Sequence, residues 1–191
     1  MKLLEDKIRT DGKIGEGNVL KVDNFLNHQI DVAFLDELGK EFYRLYKDEG
    51  ITKILTIEAS GIGIACLTAR HFGVPVVFAK KTKTNNIFAD VYRGTVESYT
   101  HQTTYEIVVS KEFLNPGDRV LIIDDFLAKG SALLGLIGLI RDAGAETVGA
   151  GIVIEKAYQP GGDLIRSGQG VRVESLARIA SMSVEDGITF C

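Results

Sequence analysis

Cysteine is nearly absent: Cys66 and Cys191 are the only two in 191 residues. Neither belongs to a CxxC pair or stands at ligand spacing from a histidine. That argues against a disulfide framework or a structural zinc site, and for reduced thiols in a cytoplasmic protein. Cys66 falls mid-helix among apolar residues and is expected in the core. An excess of positive charge is missing too. The chain has 22 basic and 26 acidic residues, a net charge of −4 with no long basic block. A phosphate-neutralising face for nucleic acid is therefore not expected. No apolar run approaches the roughly 20 residues that cross a bilayer, so no membrane partner is expected. The opening Met-Lys-Leu-Leu-Glu-Asp-Lys-Ile-Arg places charges where a secretory signal needs an apolar stretch. The histidines, His28, His71 and His101, are scattered and build no readable triad. Gly61-Ile-Gly63 lacks the third glycine and the downstream acid of a dinucleotide fingerprint. Repeats and low-complexity linkers are also lacking, so residues 1–191 read as a single domain.

What the chain does have is an α/β rhythm. Residues 1–10 predict a short amphipathic helix with Leu3, Leu4 and Ile8 on one side. Residues 18–27 show no clean period and read as an irregular cover. Asp31 then caps a helix whose Phe34, Leu35, Leu38, Phe42, Leu45 and Tyr46 recur at helical spacing, and Gly50 stops it. Lys53–Ile57 is a short strand, 62–72 a helix closed by Gly73, and 74–79 a strand. Lys80 to Asn86 reads as a polar, basic loop. Stretches 90–99 and 104–110 alternate like a solvent-facing antiparallel hairpin or flap. Strand 119–123, helix 131–143 and strand 147–154 complete the pattern. Such alternation predicts an α/β fold: a mainly parallel, twisted sheet flanked by helices. In sheets of this kind ligands sit beyond the carboxyl ends of the strands.

The sharpest chemical signal lies at such an end, in Val120-Leu-Ile-Ile-Asp-Asp-Phe-Leu-Ala-Lys-Gly-Ser131. A buried strand delivers two adjacent carboxylates, Asp124 and Asp125, and a short loop with Gly130 opens a helix. The free N–H groups and dipole of a helix start, with the Ser131 hydroxyl, make a phosphate cradle. Carboxylates beside a phosphate are compatible if a sugar separates them, because carboxylates accept hydrogen bonds from vicinal hydroxyls. The arrangement suits a ribose 5-phosphate; a magnesium-binding acidic pocket or ordinary caps are the alternatives. At the end of the first strand, Glu58-Ala-Ser-Gly61 offers backbone N–H groups and the Ser60 hydroxyl to an anion, or Ser60 caps the helix that follows. Lys80-Lys-Thr-Lys-Thr84 is either a solvated loop or a cationic lid. Lys156 ends a buried strand, where it is a surface residue or a cation facing a ligand. Phe126 either packs in the core or stacks on a ring.

The strand–acid–acid–loop segment resembles the phosphoribosyl-diphosphate signature of type I phosphoribosyltransferases. Residues 18–29, Thr56-Ile-Glu-Ala-Ser-Gly-Ile62, Ile123–Ser131, Gly151-Ile-Val-Ile-Glu-Lys-Ala157 and Val173-Glu-Ser-Leu-Ala-Arg178 are similar to the bacterial xanthine phosphoribosyltransferases, so the resemblance covers essentially the whole chain. One departure stands in the phosphate loop, where many members carry Thr-Gly and this chain has Lys129-Gly130. The resemblance implies the type I fold, with an N-terminal hood at roughly 1–30 and a flexible loop or flap at roughly 80–110. It implies transfer of a 5-phosphoribosyl group from phosphoribosyl diphosphate to xanthine, with Mg²⁺ held mainly by the substrate. A guanine- or hypoxanthine-preferring enzyme and a non-catalytic phosphoribosyl-diphosphate sensor are the alternatives. It further implies that Asp124 and Asp125 are catalytic and that Ala128, Lys129, Gly130, Ser131 and Ala132 bind the 5-phosphate. Glu58, Ala59, Ser60 and Gly61 would take the diphosphate, with Lys81 reaching in from a partner subunit of a homodimer. Leu20, Asn27, Lys156 and Phe126 would hold the base.

Overall fold

The computed structural model describes residues 1–15, 17–82, 90–98 and 103–191. Lys83 and Thr84 of the predicted basic loop, His101 and the predicted flap tip at 99–102 lie outside the described residues. Ten strands and five helices are described: α1 (Lys2–Asp11), β1 (Lys13–Gly15), β2 (Val19–Lys21), α2 (Val32–Tyr46), β3 (Lys53–Ile57), α3 (Gly61–Phe72), β4 (Val76–Thr82), β5 (Val91–Ser98), β6 (Thr103–Ser110), β7 (Arg119–Leu127), α4 (Ser131–Asp142), β8 (Glu146–Lys156), α5 (Gly161–Asp163), β9 (Val173–Ser183) and β10 (Gly187–Phe190). Eight strands form one sheet in the order β10-β9-β8-β7-β3-β4-β6-β5. The central pairs β3–β4, β3–β7, β7–β8 and β8–β9 are parallel. The fold is thus the expected α/β fold, with a mainly parallel sheet and antiparallel pairs at both edges.

Strand β7 separates two cores by its alternation. Leu121 and Ile123 face α2 and α3, joining Leu35, Leu38, Phe42, Ile64 and Ala65. Val120 and Ile122 face α4, joining Leu133, Leu136 and Ile140. Both faces of the strand are therefore buried, as its continuous apolar run predicts. Helix α2 starts where Asp31 accepts a hydrogen bond from the Phe34 N–H at 3.1 Å, the expected N-cap.

Several local expectations are corrected. Leu4 and Ile8 of α1 are buried, four residues apart on one face, but Leu3 is turned 100° away and is 48% exposed. The stretch without a period holds β2, which pairs with β1 just before it, and a π-helical turn at Asp23–Asn27. Three-residue strands are too short to display a period, and in β2 only Leu20 is buried. The β5–β6 hairpin does not simply face solvent. Strand β6 pairs with β4, Lys81 opposite Ile107, and Val96, Ile107 and Val109 share the core of α4. By the same pairing Lys80, Lys81 and Thr82 belong to a strand rather than a loop. Cys66 is exposed, because α3 buries Ile64, Ala65, Thr68 and Ala69 and position 66 falls outside that stripe.

Candidate active site

Three strand ends meet at one edge of the sheet. Strand β7 contributes Asp124, Asp125 and Phe126, β3 leads into Glu58–Gly61, and β8 ends at Lys156. Asp124 is only 4% exposed, and its Oδ1 accepts the Asp125 N–H at 3.0 Å. The Asp125 Oδ1 in turn accepts the Phe126 N–H at 3.0 Å. Burial, and then the charge of Asp125, push the Asp124 carboxyl well above the ordinary carboxylate range, while the Lys81 ammonium acts the other way. Two carboxylates held together at a strand end carry a like-charge cost that structure alone does not require; neither lines the cavity described below.

The turn at Glu58–Gly61 packs directly behind this pair. The Glu58–Ala59 peptide is cis. Ser60 is the N-cap residue of α3, but its side chain makes no capping hydrogen bond. Gly61 is fixed by space: a Cβ there would overlap Thr56 Oγ1 and lie 3.2 Å from Asp124 Oδ1. Gly61→Ala is therefore expected to lower stability by about 1–3 kcal/mol through overpacking, together with activity. A wild-type melting temperature in that variant would show that the turn is free to move.

Lys81 is held beside the Glu58 turn. Its N–H donates to Glu58 Oε1 at 2.6 Å, and its ammonium lies 5.2 Å from the centroid of the Tyr105 ring. Burial, followed by the charge of Asp124, raises the Tyr105 hydroxyl. Lys81, Tyr105 and Asp124 thus form one electrostatic group.

Beyond β7 the chain turns through Ala128–Gly130 into α4. Gly130 is the N-cap residue with φ 88°, and no side chain caps the helix or places an acid in its first turn. The first N–H groups of α4 have no side-chain acceptor, as an anion site needs. A cavity of about 420 Å³ opens over them, lined by Ala128, Lys129, Gly130, Ser131, Ala132, Phe126 and Lys156 together with Val96, Glu97, Tyr105, Leu133 and Gln159. It brings together the predicted phosphate loop, Phe126 and Lys156. Burial pushes the Lys156 ammonium below the usual lysine range.

Leu20 and Asn27 are placed apart from this lining. Leu20 is buried in the core of α2 and α3. The Asn27 Oδ1 is buried and has no hydrogen-bond partner, an acceptor without a donor. Among the described residues, no three His, Cys, Asp or Glu side chains converge as a metal site.

Sequence reasoning missed Gln159, Tyr105 and Glu97. Gln159 was within reach: its N–H closes a turn on the Lys156 carbonyl at 2.9 Å, so it follows the same strand end. Tyr105 and Glu97 face each other's strands across the hairpin, where Glu97 pairs with Thr104, and their approach to α4 depends on packing that no local signal carries.

Comparison with known proteins points the same way. The family model described as phosphoribosyl transferase domain matches residues 21–164. The chain is 60% identical over 187 residues to a xanthine phosphoribosyltransferase of Lachnoclostridium phytofermentans, covering 98% of this chain and 96% of that one. It is 54% identical over 192 residues to the xanthine phosphoribosyltransferase of Bifidobacterium longum subsp. infantis, covering 100% and 99%. Among solved structures, an APRTase from Giardia lamblia complexed with 9-deazaadenine superposes with a TM-score of 0.77 at 28% identity, over 92% of this chain and 97% of that one. The adenine phosphoribosyl transferase of Trypanosoma brucei shares the fold, with a TM-score of 0.79 at 19% identity over 96% and 83%.

Proposed function

This chain belongs to the phosphoribosyl transferase domain family, and we propose from that membership and from the lining of the cavity how it works as an enzyme. It transfers the 5-phosphoribosyl group of phosphoribosyl diphosphate to xanthine, giving xanthosine 5'-monophosphate and diphosphate. The observation that carries the reading is the joining, in one cavity, of an uncapped helix start, an aromatic ring and the cation of Lys156, with the acidic pair on the same strand.

The 5-phosphate sits on Ala128–Ala132, where backbone N–H groups and the Ser131 hydroxyl donate. Lys129 adds a point charge in place of a hydroxyl. Asp124 and Asp125 accept hydrogen bonds from the 2- and 3-hydroxyls of the ribose. The bond from C1 to the diphosphate oxygen breaks, and the diphosphate leaves with the electron pair. Positive charge then develops on the ribose, facing the two carboxylates. The purine nitrogen forms the new bond to C1 from the opposite side and gives its proton to solvent. Glu58–Gly61 and Lys81 hold the departing diphosphate. Phe126 stacks on the base, Leu20 and Asn27 cover it, and the donors-only ammonium of Lys156 meets its carbonyl edge. Catalysis rests on positioning and preorganised charge.

Two adjacent carboxylates, one pushed toward its protonated form by burial and then by the charge of the other, are hard oxygen donors whose chemistry fits Mg²⁺ held mainly by substrate oxygens and faced by Asp124 and Asp125. When bound, the ion supplies charge neutralisation on the diphosphate. A homodimer working in the cytoplasm belongs to the same reading.

Diphosphate release, measured with phosphoribosyl diphosphate and Mg²⁺ against xanthine, guanine, hypoxanthine and adenine in parallel, tests it. The expected result is fastest release with xanthine and none above background with adenine. Faster release with guanine or hypoxanthine would move the specificity, and release with none of the four would overturn the reaction.

A further inference from the structure

The mechanism leaves unused a buried ion cluster directly behind the cavity. Glu155, the residue before Lys156 on β8, is 1% exposed. Its Oε1 accepts from Arg166 Nη1 at 2.8 Å and its Oε2 from Arg166 Nη2 at 2.7 Å, a bidentate pair. Oε2 also accepts from the Ser175 hydroxyl at 2.6 Å and from Arg178 Nε at 3.2 Å. Burial works to raise this carboxyl, but the bonds from Arg166 and Ser175 and the charges of both arginines hold it down at about 2. Such a group stays ionised at any working pH, so the cluster is a fixed strut and not a titrating switch.

What the strut touches gives it a purpose. Arg166 lies in the π-helical turn Leu164–Gly168 that continues α5. At the start of α5 two consecutive glycines face opposite ways. A Cβ on Gly162 would overlap Glu155 Oε1 and lie 2.5 Å from Arg166 Nη1. A Cβ on Gly161 would overlap the Ala128 carbonyl and lie 2.7 Å from Gly130 N. The Gly161 N–H also donates to the Ala128 carbonyl at 2.9 Å. One short segment is thus pressed against the phosphate loop on one side and clamped to Glu155 on the other. Glu155 is covalently joined to Lys156.

We propose that the Glu155–Arg166 pair is a positioning device that fixes the phosphate loop Ala128–Gly130 relative to Lys156. The pair sets the span between the 5-phosphate cradle and the cation at the base edge, and neither partner touches substrate. This rests on the function proposed above for the cavity. A misplacement on the order of 1 Å at such a site can cost about a hundredfold in rate, which is why a bidentate, buried link suits the task better than a solvated one.

The test uses three variants of the full chain, with the melting temperature and both KM values measured for each. Arg166→Lys keeps the charge but loses the fork. The expected result is a rise of about tenfold or more in KM for phosphoribosyl diphosphate with KM for xanthine within about twofold, since the loop loses its backing while Lys156 stays on its strand. Gly162→Ala, which intrudes on the pair without altering either partner, is expected to show the same split. The double variant Glu155→Gln/Arg166→Met removes both charges together, which restores stability where an uncompensated charge would not. Its melting temperature should lie near that of the wild type while its KM for phosphoribosyl diphosphate stays high. Wild-type kinetics in the double variant, or equal movement of both KM values in Arg166→Lys, would reduce the pair to a structural ion pair and overturn the proposal. A wild type that binds phosphoribosyl diphosphate but does not turn over xanthine would break the reading of the base alone. In that case the dissociation constants of the variants for phosphoribosyl diphosphate, measured by calorimetry, decide this proposal on the same tenfold criterion.

Discussion

Replacing Asp124 and Asp125 together with asparagine is expected to lower kcat with xanthine by about two to three orders of magnitude, the scale at which removal of a preorganised group facing developing charge is felt. Asparagine keeps the shape of each side chain, and its carbonyl oxygen still accepts the N–H bonds that Asp124 and Asp125 now receive from Asp125 and Phe126. The fold should therefore survive while the negative charge facing the ribose disappears. Turnover near that of the wild type would remove the pair from the mechanism.

Stability should move the other way, and its pH dependence tells the two roles apart. Burial and the neighbouring Asp125 raise Asp124 above its ordinary value in the folded chain. The folded state then holds a proton that the unfolded chain has released. Stability from this source is fully present below the ordinary carboxylate range and is lost as pH rises through the raised value. Asp124→Asn has no such proton and should not show the loss. At neutral pH its melting temperature, without substrate, should equal or exceed that of the wild type, with the gap closing in acid. A variant that is less stable at every pH would make Asp124 a structural residue. A carboxylate kept at a cost to stability is one that function requires.

The parts of the site legible in the sequence are those assembled within a few residues. The strand Val120–Ile123, the acid pair and the glycine loop are consecutive, so an apolar run and its punctuation reveal a strand end and a helix start together. The same rule places Lys156 at a strand end, while its part in holding the base came from the resemblance. The rest is joined by long-range register. Lys81 meets Tyr105 only because β4 pairs with β6, Lys81 opposite Ile107, and no local pattern fixes which residues oppose one another across separate strands. The Glu155 cluster draws on Arg166, Ser175 and Arg178, three positions on two later elements. Its one local sign was an acid within the buried run Ile152-Val-Ile-Glu155. Helix phase failed at Cys66 for a related reason: the sequence of α3 is apolar on more than the face it buries, so composition alone could not tell which side packs. The resemblance to phosphoribosyltransferases supplied the hood residues Leu20 and Asn27, which physical reasoning did not reach.

Lys156 carries the second large effect. Its half-buried ammonium lies on the wall of the cavity beside Phe126 and Gln159, and a hydrogen bond from a charged donor contributes about 1.5–3 kcal/mol. Lys156→Met, which keeps the length and removes the donors, is expected to lower kcat/KM with xanthine by about one to two orders of magnitude. The loss should be smaller with hypoxanthine, which presents one oxo group fewer, so the preference for xanthine narrows along with the rate. Charge adds an independent readout. Because burial lowers the pKa of Lys156, its proton leaves at a lower pH than that of an exposed lysine, and the cation is lost as pH rises through that value. The ratio of wild-type to variant activity on xanthine should therefore be constant near neutrality and fall on the alkaline side, below the pH at which an ordinary lysine titrates. Taking the ratio cancels the titration of the base itself, which both proteins share. Equal losses on xanthine and hypoxanthine, with a ratio that does not change with pH, would place the Lys156 ammonium away from the carbonyl edge and hand the choice of base to Gln159 and Asn27.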